Sequence, residues 1–81
     1  AAGTAVASDM NGVTGTCLVA LRQSILPSER ERAADLLSQA NWKADPQVVP
    51  ALVMAAQSDP APMVRVSCVR ALGRMKANSA P

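Results

Sequence analysis

Apolar residues recur at three- and four-residue steps through four stretches of the chain, and the breaks between them fall at turn-forming residues, prolines prominent among them. In the first stretch Met10, Cys17, Leu18, Leu21 and Ile25 share one stripe, the spacing of a helix that buries one face. Leu26 precedes Pro27 and is biased out of the helical region, which predicts the helix end. Residues 1–9 show no such spacing and read as a loose N-terminal segment.

Pro27-Ser28-Glu29-Arg30-Glu31 predicts a helix start, with Ser28 as cap and Glu31 completing a capping box. Ala33, Ala34, Leu36, Leu37 and Ala40 follow on one face, and this helix is expected to run to about Asn41. Asp45-Pro46 predicts the third start, an Asp cap followed by Pro at the first helical position. Val48, Val49, Leu52, Ala55 and Ala56 form its inward face, and Pro50 is tolerated because it lies near the first turn. Two prolines make Ser58-Asp59-Pro60-Ala61-Pro62 a rigid turn. The fourth helix is expected from about Ala61 to Lys76, with Asn78-Ser79-Ala80-Pro81 as a tail. Val64, Cys68, Ala71, Leu72 and Met75 line its inner face, Ser67, Arg70 and Arg74 its polar sector, and Val66, Val69 and Gly73 a second apolar strip.

A 35-residue shift carries Pro27 onto Pro62, Arg30 onto Arg65 and Leu37 onto Leu72. It also carries Val13 onto Val48, Cys17 onto Leu52 and Ala20 onto Ala55, so the apolar register holds through both helices. A helical hairpin repeated in this way is the sequence signature of stacked helical repeats.

Composition narrows the chemistry. At 49% hydrophobic the chain of 81 residues is too apolar for a disordered tail. It has no His, and therefore lacks the commonest general base and metal ligand. Two distant cysteines, Cys17 and Cys68, make neither a zinc knuckle nor a disulfide framework, and they read as buried inert thiols. One Trp with no Phe or Tyr leaves no stacking platform for single-stranded nucleic acid, and a net charge of +2 is too mild to imply nucleic acid or an acidic membrane. No apolar run approaches the ~18 residues of a membrane span. No signal-peptide pattern opens the chain, and the missing initiator Met is expected of a processed chain or a piece of a longer one.

The stretch from Asp45-Pro46 through Pro50, Asp59-Pro60-Ala61-Pro62, Arg65 and Ala71-Leu72-Gly73-Arg74-Met75 resembles a HEAT repeat, in the short HEAT-like form named after phycobilisome lyases. That family carries a Pro in its first helix, an Asp in the turn and an Arg near the start of the second helix, and Pro50, Asp59 and Arg65 match those positions. The resemblance implies that Asp59 and Arg65 are structural, joining neighbouring repeats by hydrogen-bond ladders. In the first repeat Arg30 fits, while Ser24 stands where the Asp is expected and Gly15 where the Pro would be. The Trp, Gly and Tyr pattern of tetratricopeptide repeats is absent. The expected fold is all-α: four helices in one domain, an α–α superhelix (solenoid) formed as a right-handed stack of two HEAT-like hairpins, residues 10–41 and 45–77, after the loose segment 1–9.

Candidate surfaces follow from residues left over by this architecture. Val66, Val69 and Gly73 stand where a finished repeat stack would be polar, which is expected of a chain that continues into further repeats or self-associates through the fourth helix. Arg70 and Arg74 beside them can receive acidic groups, and Trp42 in the connector is a candidate partner anchor or a cover for the core edge. Glu29, Glu31 and Asp35 alternate with Arg30 and Arg32 and read as ordinary helix charges. The function expected is a non-catalytic, cytoplasmic interaction or scaffold module that binds another protein or further repeats, with no cofactor, metal or catalytic residue. The alternatives are an accessory domain of a chromophore-lyase-like or nucleic-acid-processing enzyme, and a structural spacer between domains.

Overall fold

In a computed structural model the backbone is described for residues 2–40 and 42–79, and side chains for residues 12–40 and 42–77. Four helices follow in order: α1 (Ala2–Gln23), α2 (Pro27–Leu37), α3 (Val48–Ser58) and α4 (Pro62–Ser79). The described residues contain no strand. The all-α expectation is met.

Proline chemistry explains the hairpin turns. Pro27 opens α2, and Leu26 before it is extended at φ −94°, ψ 119°, as a residue preceding proline prefers. Ser28 therefore lies inside the helix and makes no cap, which corrects the capping-box reading: the proline has taken the first position. Asp59 ends α3 in an extended conformation at φ −63°, ψ 134°, again before a proline. Its carboxylate accepts the Ala61 N–H at 2.9 Å and leads the chain into α4. Asp45 accepts the Gln47 N–H at 2.9 Å, but it forms a turn and α3 begins only at Val48.

Two boundaries move outward. The backbone of α1 is helical from Ala2, so the loose reading is corrected for residues 2–9; alanine, three times among them, is the strongest helix former and needs no apolar stripe. The side chain of Met10 lies outside the described residues, as do Asn41, Ala80 and Pro81. The helix α4 includes Asn78 and Ser79, which the sequence pattern assigned to a tail.

In packing, α1 lies on α2 and α3 on α4, while α4 lies along α2 and α3 more sparsely along α1. The core joins Cys17, Leu18 and Leu21 of α1 to Leu37, Leu52, Val64 and Cys68, with Leu72 partly buried at its edge. Ala33, Ala34, Ala51 and Ala71 are buried between these larger residues, and such small side chains let helix axes approach closely. Three expected core positions are exposed. Ile25, at 90%, lies beyond the end of α1, while Leu36 and Val49 turn to the edge of their helices' buried stripes. Ser67, placed in the polar sector of α4, is instead buried on the flank that faces α2.

Candidate interaction surface

Both helical turns are closed by the same device. Arg30 reaches back six residues and donates from Nη1 to the Ser24 carbonyl at 2.8 Å. Arg65 reaches back six residues and donates from Nη1 to the Asp59 carbonyl at 2.7 Å. These pairs are related by the 35-residue shift that relates the two hairpins.

Arg30 does more than Arg65. Its Nε donates to Asp59 Oδ2 at 2.8 Å and its Nη2 to Asp59 Oδ1 at 3.1 Å, a forked clasp from the first hairpin to the turn of the second. Such planar two-point pairing is the strong form of a charge-assisted bond. The pair is largely withdrawn from water, with side-chain exposures of 11% and 5%. Burial pushes the Asp59 carboxyl up, but the hydrogen bonds from Arg30 and the Ala61 amide, with the charges of Arg30 and Arg65, outweigh it and hold the carboxyl below its ordinary range. The Nε and Nη2 atoms of Arg65 make no hydrogen bond among the described residues. Replacing Arg65 by Ala is expected to cost about 1 kcal/mol, the worth of one hydrogen bond from a half-buried charged donor. A urea midpoint that does not move would show that this latch contributes nothing.

On α4, Val66 (47% exposed) and Val69 (60%) form an apolar strip with Gly73 one helical step further. A Cβ added at Gly73 would meet nothing within 4 Å. Arg65 and Arg70 border a shallow groove of about 330 Å³ over Val66 and Val69, and no acidic residue lines it. Arg74, grouped with these by sequence, faces elsewhere: its Nη1 donates to Asp35 Oδ1 on α2 at 2.6 Å, an exposed ion pair of small energetic weight. Pro50 sits in the third position of α3 and lines a separate cleft with Leu21, Met54 and Ser58. Trp42 is also apart, half-buried against the core in the connector with the Lys43 ammonium 5.6 Å from its ring centre.

The cleft beside Pro50, of about 620 Å³, contains one carboxylate, Asp59, and that group is already bonded to Arg30. Among the described residues no cluster of three or more metal-ligating side chains occurs, and no buried polar side-chain atom lacks a partner. Both cysteines are free thiols in the core. Burial raises the pKa of Cys17, an effect Arg32 reduces, and burial with the nearby Asp59 charge pushes Cys68 up to about 11. A thiol held protonated reacts poorly. A water-soluble disulfide reagent at neutral pH is therefore expected to label Cys68 at least ~10-fold more slowly in the folded than in the unfolded chain. Rapid labelling of both thiols without denaturant would contradict their burial.

Sequence reasoning missed the Ser24 carbonyl, the Asp35–Arg74 pair and the buried serines Ser38 and Ser67. Only the first had a visible signal, the equal spacing of Ser24 to Arg30 and Asp59 to Arg65. No helix is long and apolar enough to cross a membrane among the described residues. No protein-family model matches the chain, and neither a curated protein nor a solved structure is significantly similar to it.

Proposed function

We propose that this chain is a non-catalytic protein-interaction module, two HEAT-like hairpins stacked as part of a helical superhelix, which engages another protein or further repeats of the same polypeptide. The observation that carries this reading is the outer strip of α4. Val66 and Val69 stand 47% and 60% in water beside an arginine border. Covering a half-exposed valine recovers about 1 kcal/mol of burial, which a docked partner can supply. The ladder from Arg30 to Asp59 supports the HEAT-like assignment, since it joins the turn of one hairpin to the other hairpin's helix. Two free thiols fit a reducing compartment, and the proposed location is the cytoplasm.

A photoreactive residue at position 69, compared with one at position 43, tests the reading in the protein's own cells. A discrete protein adduct that forms at 69, fails at 43 and disappears with Val66→Glu supports a docking surface on α4. Equal adducts at both positions, or no crosslink from 69 either to another protein or within the same polypeptide, overturn it.

A further inference from the structure

The two layers of the stack are packed unequally. Between the hairpins α2 and α4 lie along one another, whereas α1 and α3 meet more sparsely. The residues of α3 that line the gap account for it. Pro50, Ala51 and Ala55 are small, and the one long side chain among them, Met54, stands 69% exposed. The result is the cleft of about 620 Å³, which reaches inward to Leu21, a core residue. Its volume lies within the roughly 300–1,000 Å³ of small-molecule sites.

One cation on the wall of this cleft is uncommitted. Arg30 and Asp59 are paired with each other, and the charges that act on Asp59 are those of Arg30 and Arg65. Arg22, in the last turn of α1, makes no hydrogen bond or ion pair among the described residues. At each hairpin turn a helix C-terminus lies beside a helix N-terminus, so the backbone dipoles oppose one another and the guanidinium sets the local sign. The equivalent flank of α1 supplies a contrast. The 35-residue shift relates Ala51, Met54 and Ser58 to Thr16, Val19 and Gln23, which line a groove bounded by the first hairpin alone. The one charged side chain described there is Glu29.

We infer that the cleft between α1 and α3 binds a small aliphatic monocarboxylate, with its carboxylate on Arg22 and its chain along Leu21, Ala51 and Met54. Apolar walls favour an alkyl chain by removing it from water. A guanidinium with free donors selects a carboxylate, which it can hold by two parallel bonds. The Ser58 hydroxyl at the rim adds a further donor. Such a ligand touches both hairpins, on a face of the molecule separate from the α4 strip.

The probe is octanoate, titrated into the complete chain below its micellar range and followed by the methyl resonances of Met54, Leu21 and Val19, with octanol as the uncharged control. The expected result is a dissociation constant of about 1 mM or tighter for octanoate. Met54 and Leu21 should shift while Val19, in the contrasting groove, stays in place. Octanoate should bind at least ~10-fold more tightly than octanol, as a charge-assisted bond requires. Arg22→Gln should bring the two ligands to parity, and Arg22→Lys should retain part of the difference. Ser58→Phe, at an exposed rim position, should block both by filling the cleft. Arg22 is exposed and unpaired among the described residues, so its variants should keep the helical content of the parent. No octanoate binding in that range, equal shifts at Val19 and Met54, or octanol binding as tightly as octanoate in the parent chain overturns the inference. So does a preference for octanoate that survives Arg22→Gln.

Discussion

Asp59→Ala is expected to destabilise the protein by about 3 kcal/mol, because breaking a largely buried ion pair strands the partner charge. Asp59 accepts two bonds from Arg30 and one from the Ala61 amide, and it is 7% exposed. A domain of this size rarely holds more than roughly 3–5 kcal/mol of net stability, so the variant should lie close to unfolding at 25 °C. Urea titration followed by circular dichroism measures this, and a loss under about 1 kcal/mol would show that the clasp is dispensable. The same residue sets an acid limit. Its folded pKa is depressed, so above its unfolded value of about 4 the contribution is fully present. As pH falls, the unfolded chain takes up the proton first, and stability drains away until the folded pKa has been passed. In Asp59→Asn this part of the acid sensitivity should disappear.

Leu52→Ala should cost about 3 kcal/mol as well, by a different physics. Leu52 is fully enclosed at 0% exposure, among the largest buried side chains. Truncation there loses transfer free energy and leaves a cavity, and the surrounding helices are held apart by other core residues rather than free to collapse. Leu36→Ala is the matched comparison. With 37% of the residue in water it should cost under about 1 kcal/mol, since little burial is lost. Equal losses for the two leucines would mean that the core has been assigned to the wrong face of α2.

What the sequence revealed followed the range of the forces involved. The breaks before α2 and α4 were legible at Pro27 and at Pro60 and Pro62, since a proline's fixed φ acts on its own neighbourhood, although Pro27 rather than a Ser28 cap opens α2. The three-to-four spacing also located Leu18, Leu21, Leu37, Leu52 and Cys68 in the core. Periodicity failed where burial depends on a neighbouring element: Leu36, spaced for the core, is exposed, whereas Ser67, spaced for the polar sector, is covered because α4 has α2 on that flank. At residues 2–9 it failed for the opposite reason, as a helix built from alanine propensity shows no stripe. For the surface, Val66, Val69 and Gly73 were legible as an apolar strip at helical spacing. The departure of Arg74 toward Asp35, 39 residues away in sequence, depends on how two helices cross and leaves no local mark.

Trp42 gives the molecule a single optical address. With no other tryptophan and no tyrosine in the chain, its fluorescence arises where the connector between α2 and α3 folds against the core. Light emitted by this protein thus reports on the seam between hairpins, whereas far-ultraviolet circular dichroism reports on the helices themselves. A pair of hairpins that slid apart with helices intact would alter the first signal and leave the second unchanged.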